Sequence, residues 1–455
     1  METREEKDAM GAVRVPADAY FGASTQRARD NFEDSGLKLP KDFIHALALI
    51  KKCAARANQD LELLSGDLAE PIADAAQEVI DGRFDGQFVV DLFQTGSGTS
   101  TNMNMNEVLA ARANEIITGT RGGKSPVHPN DHVNLGQSSN DVIPTTMHLA
   151  ALLGAQKRLL PALRSLQTAL TDKATEFQSI RKIGRTHLQD AVPIFLGQEF
   201  GGYARQVDLG LERVTHALGS LRELALGGTA VGNGLNTHPD FAQQVIDRLN
   251  KITGSEVREA ADHFEAQGAQ DAAVEMSGVL KTVAVSLTKI ANDLRWLGSG
   301  PRCGLGEIKL PALQPGSSIM PGKVNPVIPE AVLQIAAQVI GNDTTIAVAG
   351  QAGVLELNVM LPVITYNLLQ SIDLLAHAAD LLTRKCVTGI EADRAQCAAG
   401  LEKSLALATY LVPHLGYDKA AALAYKAYKS GKSIREAALT EKLMPAETLA
   451  KLLPG

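Results

Sequence analysis

Gly316-Ser317-Ser318-Ile319-Met320-Pro321-Gly322-Lys323-Val324-Asn325-Pro326 is the stretch on which the reading of this chain turns. Gly316, Pro321, Gly322 and Pro326 all fall inside it. Glycine admits backbone angles that side chains forbid and proline removes an N–H donor, so no helix is expected to pass through and the stretch reads as a loop. That loop holds Ser317, Ser318, Lys323 and Asn325, groups suited to gripping a carboxylate and to stabilising charge that develops on it. A phosphate-cradling loop does not fit. Five residues rather than four separate Gly316 from Gly322, and Val324 follows the lysine where a metal-binding Ser or Thr is required. A plain flexible connector is the other reading of such a composition.

Outward from the loop, composition bounds the answer. A chain of 455 residues, 45% hydrophobic and 21% charged, can bury a large core, and its length suggests two or three domains. Aromatic residues are only 4%, so a core of Ala and Leu, helix against helix, is expected. A net charge of -7 supplies no basic field for nucleic acid, and no apolar run has membrane-spanning length. Cys53, Cys303, Cys386 and Cys397 lie far apart without paired metal-ligand spacing, and the N-terminus carries no secretory pattern. The expectation is a reduced, cytoplasmic protein without nucleic-acid or membrane partners.

Helical periodicity dominates most of the length. Phe43 to Leu64 reads as an amphipathic helix, with His45 as a packed or solvated residue rather than a ligand. Longer patterns run over 145–178, 195–225, 256–297, 327–348 and 354–386. At about 1.5 Å per residue, segments of about 30 to 40 residues make rods of roughly 45 to 60 Å, longer than a compact single-chain domain needs. A bundle whose leftover apolar faces meet other subunits is therefore expected. The interruptions, at 184–193, 227–239 and the Gly316 loop, are where chemistry is placed.

Four other stretches carry polar groups suited to an anion. Gln94 to Glu107 sets Ser97, Gly98 and Thr99 ahead of an Asn-rich run and a helical pattern after Val108, an arrangement that can offer N–H groups at a helix start. Taken alone it is equally a capped loop. His128-Pro-Asn130-Asp131 and Gln137-Ser138-Ser139-Asn140-Asp141 follow closely. Gly184-Arg-Thr186-His187-Leu-Gln-Asp-Ala-Val-Pro193 sets a histidine between helices, and Glu330 opens the helix after the Gly316 loop. A glutamate there compensates the helix dipole. A carboxylate there could also bond one nitrogen of His187, fixing its tautomer.

Together these motifs resemble the fumarase/aspartase superfamily, whose members cleave C–O or C–N bonds beside a carboxylate and release fumarate or a fumaryl product. The Gly316 to Pro326 stretch is similar to its signature loop. The likeness extends through five separated motifs along nearly the whole chain. Phe21-Gly-Ala-Ser24-Thr-Gln-Arg27 resembles the fumarases' Trp-Gly-Ala-Gln-Thr-Gln-Arg and departs at Phe21 and Ser24. Ser125 stands where their secondary anion site carries a basic residue. Asn140 after Ser139, and Gly416-Tyr-Asp-Lys-Ala-Ala421, favour the fumarase branch over the aspartases.

The resemblance implies a mainly α, three-domain fold, with a central long-helix bundle forming the core of a homotetramer. It divides the chain into an N-terminal helical domain (1–138), a bundle domain (139–388) and a small helical domain (389–455). It further implies reversible, metal-independent anti hydration of fumarate to L-malate in the tricarboxylic acid cycle. No cofactor or metal is expected. Ser317 is implied as base, and His187 with Glu330 as the pair that handles water. Ser97, Gly98, Thr99, Ser138, Ser139, Asn140, Thr186, Lys323 and Asn325 are implied as the substrate-holding set. His128, Asn130 and Asp131 form a candidate secondary anion site. Each site is expected to draw on three subunits. Aspartate ammonia-lyase activity is the alternative, and a non-catalytic structural protein on the same scaffold is the remoter one.

Overall fold

The computed structural model describes residues 2–32 and 34–453. Seventeen α-helices and five two-stranded sheets are found among them, so the fold is mainly helical. The chain divides into two compact units. One comprises Met1–Pro161, Glu212–Ala284 and Ala337–Ala376, and the other comprises Ala162–Leu211, Val285–Ala336 and His377–Gly455.

The first unit begins with an antiparallel hairpin, β1 (Thr3–Asp8) and β2 (Gly11–Pro16), and its core is laid down by α1 (Lys41–Asp60) against α2 (Gly66–Ile80). Phe43, Leu47, Ile50, Ile72 and Val79 are all sealed from solvent, as the 3.6-residue spacing of their apolar positions requires. Next comes α3 (Thr99–Thr118), which starts well before Val108, where the helical pattern was expected to begin. Asn102, Asn104 and Asn106 therefore lie inside the helix and are buried. Buried Glu107 on α3 accepts the N–H groups of Gly22, Ser24 and Thr25 and the Thr25 hydroxyl. Ser24 takes part through its backbone, which is why a residue other than glutamine serves there.

A continuous helical run follows: α4 (Ser139–Gly154), one π turn (Ala155–Leu159) and α5 (Leu160–Glu176). The long helices α6 (Leu196–Leu221), α8 (Asp271–Leu297), α9 (Val327–Gly350) and α10 (Leu361–Lys385) match the expected rods, with α7 (Phe241–Thr253) before α8. Two start later than their periodicity suggested. Short strand and helix pieces at Arg258–Glu259 and His263–Gly268 precede α8, and a small hairpin, Gly353–Val354 with Leu357–Asn358, precedes α10.

In the second unit, β3 (Arg181–Thr186) and β4 (Gln189–Phe195) form a hairpin. Ile183 packs into an apolar cluster with Leu401, Leu407, Leu411, Leu423, Ile434 and Leu449 from the C-terminal helices. No helix among the described residues is long and apolar enough to cross a membrane.

Candidate active site

Two helix starts meet in the first unit. Thr99 is the first residue of α3 and Ser139 the first of α4, and their hydroxyl oxygens are 2.6 Å apart. Ser97 Oγ lies 2.8 Å from Thr99 Oγ1, which extends the chain of hydroxyls to three. Because each helix start carries unpaired N–H groups and a partial positive charge, their convergence favours an anion there. Gly98 makes the approach possible. It adopts φ 72°, and a Cβ on it would come within 3.0 Å of Ile143.

Ser138 caps α4, its hydroxyl accepting the Asn140 N–H, while Asp141 accepts the Ser138 N–H in return. The other Asp141 oxygen accepts the N–H groups of Gly227 and Thr229. Burial pushes the Asp141 carboxyl up to about 6, against those three N–H donors and Lys51, which act to lower it. Asn140 Nδ2 donates to the Ala230 carbonyl at 2.8 Å, which fixes the side chain.

Lys51 carries a role the sequence reading missed. Its amino group is fully buried and donates to Asn134 Oδ1 at 2.9 Å and Gln137 Oε1 at 3.0 Å, both neutral acceptors. Burial pushes it down to about 7. Its place on the apolar stripe with Leu47, Ala54 and Asn58, at helical spacing, is the sequence signal that marks it.

His128, Asn130 and Asp131 form one self-capped turn. His128 Nδ1 accepts the N–H groups of Asn130 and Asp131, each at 3.2 Å, and lies 3.4 Å from the Asp131 carboxylate. Burial lowers the His128 pKa even though Asp131 acts to raise it. With Nδ1 accepting, Nε2 is the ring atom left to donate outward.

In the second unit, Thr186 ends β3 opposite Gln189, and His187 and Leu188 form the two-residue turn between the strands. Both have positive φ, 56° and 59°, a conformation that side chains disfavour and that holds His187 outward at the hairpin tip. The hairpin is anchored from below. Lys182, 1% exposed, bonds Glu199 and Glu307 at 2.9 and 2.8 Å, and Arg185 bonds Glu307 at 3.0 Å. Sequence reading did not single out this buried charge network.

Ser317 opens a loop with no helix until Val327. Its Oγ accepts the backbone N–H groups of Ile319 at 3.2 Å and Met320 at 3.0 Å. The loop is closed at its base by the Gly316 N–H on the Lys323 carbonyl, 2.7 Å, and by Asn325 Nδ2 on the Gly316 carbonyl, 2.8 Å. A Cβ on Gly316 would sit 2.8 Å from both the Asn325 nitrogen and the Lys323 carbonyl, so the closure needs glycine. A cleft of about 410 Å³ is lined by residues 312–315, Ser317 and residues 320–324 of this segment, exposed Lys323 among them, and His187 does not line it. Glu330 stands in the first turn of α9 and is not hydrogen-bonded to His187 within the chain, among the described residues. The chain thus joins Ser97, Thr99 and Ser139 in one cluster, and Ser317, Lys323 and Asn325 in another.

Comparison with known proteins gives one family throughout. A family model described as Lyase matches residues 11–341, and one described as Fumarase C C-terminus matches residues 407–454. The fumarate hydratase class II of Thermosynechococcus vestitus is 54% identical over 446 residues, 98% of this chain and 96% of the relative. That of Neisseria meningitidis is 53% identical over 453 residues, 100% of this chain and 98% of the relative. Among solved structures, the recombinant class II fumarase from Schistosoma mansoni superposes with a TM-score of 0.96 at 40% identity, covering 100% of this chain and 98% of that one. The fumarate lyase:delta crystallin from Brucella melitensis, in native form, superposes with a TM-score of 0.90 at 48% identity, covering 96% and 100%.

Proposed function

The chain belongs to the class II fumarate hydratase family of lyases, and from that premise we propose how its own residues carry out the reversible hydration of fumarate to L-malate. An ammonia-lyase reading is not favoured, since the full-length relatives are fumarate hydratases and residues 407–454 match the fumarase C-terminal model.

The difficult step is removal of a weakly acidic C–H proton next to a carboxylate of malate. Ser317 is the base, acting as an alkoxide. An ordinary serine hydroxyl is far too weak an acid for this, and the observation that carries the proposal is the pair of N–H groups, from Ile319 and Met320, aimed at its Oγ. Hydrogen bonds to a charged oxygen favour the charged form. As the proton moves to Ser317 Oγ, the C–H electron pair passes into the carboxylate, giving a dianionic aci-carboxylate. The Ile319 and Met320 donors are engaged with Ser317, so the charge on that carboxylate falls to the Lys323 ammonium and the second N–H of Asn325. His187 then protonates the departing hydroxyl as the C–O bond breaks and the alkene forms. In the hydration direction it takes the proton of the adding water, and Ser317 returns its own proton to carbon. Addition is anti, so Ser317 and the water stand on opposite faces of the substrate.

The other substrate carboxylate sits at the joined starts of α3 and α4, held by Ser97, Thr99, Ser138, Ser139 and Asn140, where Gly98, its own N–H on the Thr95 carbonyl, lets the two helix starts approach. Thr186 adds a hydroxyl beside His187. We further propose that His187, Ser317 and Thr99 within one site come from three chains of a homotetramer, with Glu330 of another chain against His187. His187 stands exposed at the hairpin tip, open to a carboxylate of another chain. His128 Nε2 and the Asn130 side chain are the donors of a secondary anion site that Asp131 flanks by ordering His128, and Lys124 supplies the nearby positive charge where Ser125 has none. The reaction uses the chain's own groups without a metal and serves the tricarboxylic acid cycle in the cytoplasm. Four free thiols suit a reducing compartment.

The experiment is ultraviolet detection of fumarate formed from L-malate or from L-aspartate by the purified protein. Fumarate from malate alone supports the proposal, and fumarate from aspartate overturns it.

A further inference from the structure

A second cleft lies in the first unit, away from the residues assigned to substrate. It has a volume of about 540 Å³, in the range of small-molecule sites, and is lined from α1, α2, α4, the π turn after it and α7. Its apolar lining is formed by Leu49, Ile80, Leu153 and Ile252, the last 55% exposed, so an apolar ligand body would cover surface now open to water.

The polar lining is cationic in excess. Lys52 donates to the neutral Gln77 Oε1 at 2.7 Å, and Lys157 points to solvent. Neither has a carboxylate partner among the described residues. Arg158 is already engaged, held between Asp42 and Asp373. The lysines are thus the open positive groups in the cleft of a chain whose net charge is -7.

The backbone is reshaped at the same place. Pro161 has no N–H to give the Lys157 carbonyl, and the Leu160 N–H reaches back five residues to the Ala155 carbonyl. Such π turns widen a helix and re-aim its side chains, frequently at functional sites. Here the turn carries Lys157 and Arg158 to the cleft rim. Gly154 leaves room for Arg158, whose guanidinium would lie 3.0 Å from a Cβ at that position.

We propose that this cleft binds a small amphipathic anion, an acidic head on a short aliphatic body, with the head on Lys52 and Lys157 and the body on Leu49, Ile80, Leu153 and Ile252. The test is equilibrium dialysis of the full chain in its native assembly against hexyl phosphate, with fumarate and malate present at equilibrium to fill the catalytic pocket. One saturable site per chain is expected. Hexan-1-ol and inorganic phosphate, which lack the head or the body, should each bind at least about 10-fold more weakly. The Lys52→Gln/Lys157→Gln variant should bind hexyl phosphate at least about 10-fold more weakly with hydratase turnover unchanged. Ile252→Glu, at an exposed position that tolerates polarity, should weaken it similarly if the double variant fails to fold. Equal binding by wild type and the folded variants, inorganic phosphate binding as tightly as hexyl phosphate, or no saturable binding would each overturn the proposal.

Discussion

The backbone N–H of Met320 lies 3.0 Å from Ser317 Oγ, inside a loop closed at its base by Gly316. The loop therefore spends its own donors on the serine. If those donors stabilise an alkoxide, Ser317→Ala should lower kcat by about 10³-fold or more while leaving the assembly intact. Steady-state rates with size-exclusion chromatography check this. Turnover within a few-fold of wild type would remove Ser317 from the role of base.

Thr99 Oγ1 stands between two other hydroxyls, so Thr99→Val strands Ser97 and Ser139 as well as removing a substrate contact. An unsatisfied buried polar group costs about 1–3 kcal/mol. An increase in KM of roughly 10-fold or more is expected, with a smaller change in kcat. An unchanged KM would place the substrate carboxylate elsewhere.

Gly98→Ala places a side chain at φ 72° and against Ile143. The positive φ alone costs about 1 kcal/mol. Thermal melts should show a lower Tm, and KM should rise because Thr99 shifts with its helix start. A variant with wild-type Tm and KM would mean that the α3 start is not held by this glycine.

Lys51 gives a pH signature. Burial holds it at about 7 in the folded chain against an ordinary lysine value of 10.5, so between those limits the unfolded chain binds a proton that the folded chain lacks. Its contribution to stability is fully present above 10.5 and is lost as pH falls through about 7. Relative to Lys51→Met, wild type should gain stability as pH rises from 7 to 9.5, with a slope of at most about 1.4 kcal/mol per pH unit. Urea midpoints measured across that range decide it, and a flat or falling difference contradicts a neutralised, buried Lys51.

The loop at 316–326 and the long helices were legible because glycine, proline and a 3.6-residue period act locally, whereas the roles of the motif residues came from a family resemblance. Less legible was what depends on distant partners. Asn102, Asn104 and Asn106 read as a polar run before a helix, yet they are buried within it, their amides answered by Asn134, the Gln87 carbonyl and Met103. The stripe position of Lys51 marks it as buried, but its acceptors, Asn134 and Gln137, lie more than eighty residues on. Lys182 and Glu307 are a charge pair separated by 125 positions. No local pattern announces such a pair. The late start of α8 follows from the short strand Arg258–Glu259 and the separate helix His263–Gly268, which periodicity alone runs through.

The most direct test of the account is complementation between two inactive chains, Ser317→Ala and His187→Asn, mixed by co-refolding. If Ser317 and His187 of one site come from different chains, random mixing in equal amounts leaves about a quarter of the sites with both residues intact. Activity near a quarter of wild type is the predicted result. Activity no higher than the sum of the two parents would show that one chain supplies both residues, and the shared site would have to be abandoned.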